Sequence, residues 1–245
     1  MTGVQTCALP ICISLDGVCP LAPGFDVCGW FARDAAMLAR VGEVLLGGKI
    51  NAHGRVLLAR DAWDNATPEA QQALQPSLAR VEKALGKAEP VTVSAEGLAE
   101  WFEVFRVLQF SEIWETHREW ITRVKPKFGV AIGKRFEAVA EVTAAEVAQM
   151  KPRREDIAAR LDKLLANNAI LVLPTVPDIA PLLNCPPDQT IAFRERAMRM
   201  LCISGLGRLP QVSLPLAMLN GCPLGISIVA ARGNDEMLLD AARRI

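Results

Sequence analysis

The chain carries two histidines, His53 and His117, and a Ser-His-Asp triad would need one of them as its base. His53 lies in a turn-like NAHG stretch, and His117 sits beside Glu115, Arg118 and Glu119 on a helical segment. Both read as surface groups. No GxSxG elbow is present. Gly47-Gly48-Lys49 is a fragment of a phosphate loop that a helix end with a solvated lysine explains. Gly205-Leu206-Gly207 is a lone GxG between a helix and a strand, the reverse of the dinucleotide-binding order. Glu112, Glu115 and Glu119 recur at helical spacing near Arg118 and Arg123, as in a solvated, ion-paired face. The Trp-rich segment around Trp101, Trp114 and Trp120 reads as core packing rather than as a ligand wall. Seven cysteines include no CxxC pair, so neither a structural zinc site nor another metal site is expected. The thiols are expected to be reduced. No cofactor motif is found. Read residue by residue, the chain has no catalytic apparatus of its own.

The elements that would position such groups follow from composition and pattern. Of 245 residues, 51% are hydrophobic and 22% charged, which gives a core-forming chain of one large or two small domains. Twenty-seven basic residues balance 27 acidic ones, so a nucleic-acid or polybasic membrane partner is not expected. No apolar run approaches the roughly 20 residues of a membrane span.

A helix is predicted from Asp34 to Leu46, with Asp34 as cap and Gly47-Gly48 as stop. Arg55–Ala59 reads as a short buried strand. Thr67-Pro68-Glu69 opens a helix that ends at Gly86, and Pro90–Ser94 reads as the next strand, which completes a βαβ unit. A long helix is predicted over Ala95–Val124 with a break near Ser111. Others are predicted over Ile132–Met150, ended by Pro152, and from there to Ala166. Ala169–Leu173, AILVL, is a strand buried on both faces. A proline-rich loop, a helix over Ile191–Ile203, and strands Gln211–Leu214 and Leu224–Val229 joined through Asn220-Gly221 follow. Asn234 caps a last helix. Strands alternating with helices give the α/β class.

Met1–Ile11, MTGVQTCALPI, has neither helical period nor clean alternation. It resembles, residue for residue, the translation of a common sequencing adapter. Residues 1–12 are therefore expected to be artefactual or non-native, with the natural sequence starting near Cys12 or Ile13 and continuing as one domain over 13–245.

Several segments together resemble the amidase signature family. Ile13–Asp34, ISLDGVCPLAPGFDVCGWFARD, is similar to the stretch after that family's Gly/Ser-rich signature, and Asp26, Gly29, Arg33 and Asp34 match its structural motif. Leu171–Pro181, LVLPTVPDIAP, resembles its late central strand and pocket loop, and Gly205–Ala242 its C-terminal strand, hairpin and helix. Ser111–Gly129 resembles the subgroup that contains the indole-acetamide hydrolases. The resemblance implies an incomplete C-terminal part of the amidase signature fold: α/β, a mixed, mostly parallel sheet flanked by helices.

It also implies a chemistry: a nucleophilic Ser, a second Ser bridging through a cis peptide, a neutral Lys base and an oxyanion hole of backbone amides. The positions for all of these precede the one matching Ile13, so the expectation for this chain is no catalytic residue and no activity alone. Pro174, Thr175, Val176 and Pro177 are implied to border the substrate pocket, with helices of the Trp101–Phe136 region covering it. The parent is expected to be a cytoplasmic amidase that acts on a small amide through an acyl-enzyme, without cofactor, nucleic acid or membrane. The oligomeric state is left open. The alternative is a non-catalytic, amidase-like binding or scaffold domain. The isolated chain is expected to expose strand edges of the AILVL type and to aggregate.

Overall fold

The structure is a computed structural model and describes residues 4–8, 13–47 and 51–245; the side chains of 4–8, 130 and 131 are left undescribed. Gly48 and Lys49 lie outside the described residues, as does Cys12. The chain runs β1 (Val4–Ala8), β2 (Cys28–Ala32), α1 (Ala35–Leu45), β3 (Val56–Ala59), α2 (Arg60–Asp64), α3 (Pro68–Leu85), β4 (Ala88–Val91) and α4 (Leu98–Val124). It continues through α5 (Val130–Ala140), α6 (Ala144–Leu164), β5 (Ile170–Pro174), α7 (Pro187–Gly207), β6 (Gln211–Leu219), β7 (Cys222–Ala230) and α8 (Asp235–Arg244).

The seven strands form one sheet in the order β2-β1-β6-β7-β5-β3-β4. The pairs β3/β4 and β3/β5 are parallel, and the other four are antiparallel. Only β7 and β1 run against the rest, so five of the seven strands point one way. This is the expected mixed sheet flanked by helices.

The alternation of side chains along β5 divides the core. Ile170 and Val172 face a layer built by α1, α3 and α8, together with Val212, Ile226 and Ile228 of the hairpin. Leu171 and Leu173 face a second layer built by α2, α4, α6 and α7, together with Leu57, Ala59 and Val229. Because both faces are covered, β5 needs no polar positions, which explains its unbroken apolar run. β5 also lies between β3 and β7. The edge exposed by such a strand is therefore not AILVL; β2 and β4 form the two edges.

The caps explain most helix boundaries. Asp34 accepts from the Met37 amide at 2.7 Å and starts α1. Thr67 accepts from Ala70 and starts α3 with Pro68 in its first turn. Thr143 and Glu146 close a reciprocal capping box that starts α6. That box splits the expected Ile132–Met150 helix into α5 and α6, and Pro152 lies inside α6 instead of ending it. α4 runs unbroken through Ser111. β4 begins two residues before Pro90, which an edge strand tolerates because the missing N–H would face outward. Val4–Ala8, within the stretch that shows neither helical period nor clean alternation, pairs as β1 with β2 and β6.

Candidate functional site

The face of the sheet under α4, α6 and α7 changes character along its width. Under β3 and β5 it is apolar, with Leu57, Ala59, Leu171 and Leu173 all at 0–1% exposure. Towards β6 it turns polar. Gln211 and Ser213 share one face of β6 by alternation, and Ser213 pairs with Ser227 of β7. Thr175, the residue after β5, reaches the same place: its Oγ1 lies 2.8 Å from Ser213 Oγ and 2.8 Å from Ser227 Oγ. Gln211 Nε2 donates to Ser227 Oγ at 2.8 Å. From α7, the Ser204 hydroxyl donates to Gln211 Oε1 at 2.6 Å.

Five polar side chains thus form one chain of hydrogen bonds, with Ser227 fully buried and the others half-buried. Gly225 makes room for it. A Cβ there would stand 2.8 Å from Thr175 Oγ1 and 3.1 Å from Ser213 Oγ. The Thr175 amide is held by the Gly225 carbonyl at 2.9 Å.

The chain of hydroxyls contains no base. Among the described residues no lysine or histidine bonds to any of its members. The two histidines lie elsewhere. His53 bonds through Nε2 to the Leu85 carbonyl and through Nδ1 to Arg244, and His117 packs edge-on against Trp120 and Phe136. Among the described residues no group of three His, Cys, Asp or Glu is placed to hold a metal. Cys19, Cys28, Cys185, Cys202 and Cys222 are free thiols, and burial pushes the Cys202 thiol well above its ordinary range.

The expected pocket loop divides. Pro174 closes β5, Thr175 joins the hydroxyl chain and Val176 packs into the core below. Pro177 lines a cleft of about 360 Å³ between this loop and α7, with Ile179, Leu182, Gln189, Phe193 and Arg196. The cleft wall is fixed. Arg196 Nε donates to the Asn65 carbonyl at 3.1 Å and Asn65 Nδ2 returns a bond to the Arg196 carbonyl at 2.8 Å. The Thr67 amide donates to the Pro177 carbonyl at 2.8 Å. The structure therefore sets Thr175 in the hydroxyl chain and Pro177 on the wall of the cleft, while Pro174 belongs to β5 and Val176 to the core.

The four motif residues near the start are similarly resolved. Asp26 accepts from the Leu21 amide at 2.9 Å and the Ala22 amide at 3.2 Å, closing the loop before β2. Asp34 is the cap of α1. Gly29 lies exposed in edge strand β2, and Arg33 is exposed. The loop that Asp26 folds is seated by two helices. Glu112 of α4 accepts from the Gly24 amide at 2.6 Å, instead of belonging to an ion-paired face. Arg154 of α6, 6% exposed, donates to the carbonyls of Gly24 at 2.9 Å and Gly205 at 3.2 Å, and stacks 4.0 Å from the Phe25 ring. Burial first, and the nearby Arg208 second, hold the Arg154 guanidinium below its ordinary pKa, while Glu112 and Glu155 act in the opposite sense. Trp101 is fully buried and donates to Glu96, which is the core role expected of it.

No family model matches the chain. A crystal structure of an amidase superposes on 99% of the chain with a TM-score of 0.84 at 22% identity, using 57% of its own length. A 6-aminohexanoate cyclic dimer hydrolase follows with a TM-score of 0.72 at 18% identity and 99% coverage. The fold is the amidase fold, in part. Among curated relatives, Amidase 1 of Arabidopsis thaliana is 30% identical over 93% of the chain, and Amidase 1 of Oryza sativa subsp. japonica is 30% identical over 95%. Translocon at the outer membrane of chloroplasts 64 of Pisum sativum is 26% identical over 94%. The chain spans 61% and 60% of the length of the two amidases and 44% of the translocon protein. Its homologues are thus amidases and amidase-like proteins. No described helix is long and apolar enough to cross a membrane.

Proposed function

We propose that the chain is the C-terminal portion of an amidase signature enzyme whose parent hydrolyses a small carboxylic amide to the acid and ammonia. The observation that carries this reading is the joint likeness to amidases in sequence, at 30% identity, and in fold, at a TM-score of 0.84. In this reading the parent is cytoplasmic, residues 1–12 are foreign and the natural domain runs over 13–245. The Ser, bridging Ser and Lys of the family mechanism belong to the segment that precedes Ile13. This chain supplies the opposite wall: the hydroxyl chain around Thr175 and the cleft beside Pro177. The apolar members of that cleft, Ile179, Leu182 and Phe193, suit an aryl-acetamide substrate of the indole-acetamide type.

Two experiments test this. The genomic sequence upstream of the Ile13 codon is expected to show an in-frame Gly/Ser-rich run and, further upstream, a lysine; a natural start codon just before Ile13 overturns the reading. The expressed chain, incubated with aryl amides and a fluorophosphonate probe, is expected to show no turnover and no labelled serine. Labelling of any serine would sink the claim that the nucleophile lies elsewhere.

A second reading has its own support. The likeness to a chloroplast translocon protein, at 26% identity over 94% of the chain, favours a non-catalytic, amidase-like binding or scaffold domain. The same upstream sequence separates the two, because a scaffold needs no Gly/Ser-rich run.

A further inference from the structure

The two hydrogen bonds of the Gln211 amide have a direction that its atoms dictate, and the hydroxyl bonds beyond follow from it. Gln211 Oε1 only accepts, so the Ser204 hydroxyl, 2.6 Å away, donates to it. Gln211 Nε2 only donates, so Ser227 Oγ, 2.8 Å away, accepts. Ser227 is fully buried and must place its own proton. Its other hydroxyl partner is Thr175 Oγ1 at 2.8 Å, so Thr175 accepts. Among the described residues the Thr175 hydroxyl has only one other partner, Ser213 Oγ at 2.8 Å, and placing its proton there leaves that proton paired. Ser213 is the end of the line. It accepts from Thr175, and its own proton has no acceptor among the described residues. Ser213 is half-buried. Each bond polarises the next, which makes the terminal hydroxyl a better donor than an isolated serine.

We propose that Ser213 is a directed hydrogen-bond donor for an oxygen acceptor, namely the carbonyl oxygen of a small amide. Gln211 sets that direction and acts as a positioning residue. Gly225 is the space that lets Thr175 cross to Ser213, since any side chain there would stand on both hydroxyls. The proposal deepens the amide-hydrolase reading and rests on it for its choice of ligand.

The test uses ligand-observed NMR on the whole chain at pH 8 with two probes: phenylacetamide, which carries a carbonyl acceptor, and phenethylamine, whose ammonium only donates. The wild-type chain is expected to prefer phenylacetamide. Ser213→Ala is expected to bind it about tenfold more weakly, the size of one neutral hydrogen bond. Gln211→Glu supplies a carboxylate that takes protons from both Ser204 and Ser227. Each hydroxyl beyond it then turns round, Ser213 becomes an acceptor, and the preference moves to phenethylamine. Thermal melts show whether each variant is folded; if Gln211→Glu is not, Ser213→Ala carries the test. Absence of phenylacetamide binding, equal binding by Ser213→Ala, or an unchanged preference in folded Gln211→Glu overturns the proposal. Binding needs no turnover. A parent without amidase activity would therefore remove the hydrolase reading while leaving a positive binding pattern intact.

Discussion

Arg154 offers the sharpest perturbation, because it is a buried cation without a carboxylate bonded to it. Its guanidinium holds the carbonyls of Gly24 and Gly205 at 2.9 and 3.2 Å and covers the Phe25 ring at 4.0 Å. Arg154→Met keeps an apolar stem of similar length and removes these contacts together with the Nε bond to the Leu206 carbonyl. A hydrogen bond to a charged group contributes roughly 1.5–3 kcal/mol, and a desolvated cation–π contact about 1–2 kcal/mol. Against their sum stands the relief of a buried charge, whose cost shows in the lowered pKa. Two close hydrogen bonds, a longer one from Nε to the Leu206 carbonyl at 3.5 Å and one stack outweigh a charge that keeps Glu112 and Glu155 nearby, so a net loss of about 2–3 kcal/mol is expected. The loss should be local first. The segment from Leu21 to Asp26 is held by Arg154, Glu112 and its own Asp26, so hydrogen exchange there should quicken in Arg154→Met while β5 keeps its protection. The assay is hydrogen exchange by mass spectrometry alongside a denaturant melt. A variant as stable as wild type, or one whose exchange quickens in β5 and not in the loop, refutes the clamp.

Other outcomes follow from single groups. Asp235 is 3% exposed, both its carboxylate oxygens lack a partner among the described residues, and burial, with a smaller push from Glu236, raises its pKa from 3.8 to about 6. The folded chain therefore holds this proton more tightly than the unfolded one, and the associated stability is present below pH 4 and lost as pH rises towards 6. Asp235→Asn should accordingly stabilise the chain at pH 7.5 by up to about 3 kcal/mol, from roughly two units at 1.36 kcal/mol each, and do little at pH 4; equal effects at both pH values in thermal melts would contradict the assignment. Gly54→Ala should cost about 3 kcal/mol or more in a urea melt, because its Cβ would press on the backbone carbonyl of Asn167, which cannot rotate away.

The parts of the fold that were legible in the sequence are those where local chemistry and tertiary burial agree. The AILVL run is a doubly buried strand, Asp34 and Thr67 are caps, and Asn220-Gly221 turns the hairpin with both residues at positive φ. Legibility failed where one signal hid another. Pro152 reads as a helix end, yet the stronger Thr143-x-x-Glu146 signal had already placed the boundary nine residues earlier. β1 has no alternation to read, because its place comes from the backbone groups of β2 and β6 on either side. The site was half legible. Thr175 and Pro177 were singled out through family likeness, whereas their polar neighbours Ser204, Gln211, Ser213 and Ser227 escaped because they come from three separate elements. A signal for them does exist: Gln211, Ser213 and Ser227 are polar at alternate positions of strands whose opposite face is apolar throughout.

The same logic locates the surface on which the chain should associate with itself. β5 is an inner strand and its apolar run is covered, so it is not the sticky element. The edge strand β2 is. Phe31 on β2 is 71% exposed, and Val27 immediately before the strand is 42% exposed. An edge strand presents unpaired backbone groups, and an exposed aromatic on it adds apolar area to any strand that pairs there. A charge at that position disfavours pairing without touching the core. Phe31→Lys should therefore raise the soluble, monodisperse fraction in size-exclusion chromatography with light scattering and leave the melting temperature within a few degrees of wild type. The control is Leu183→Lys, at a fully exposed position in the loop before α7 rather than at a sheet edge. If Leu183→Lys restores monodispersity and Phe31→Lys does not, association runs through the loop and not through β2, and the edge argument is wrong.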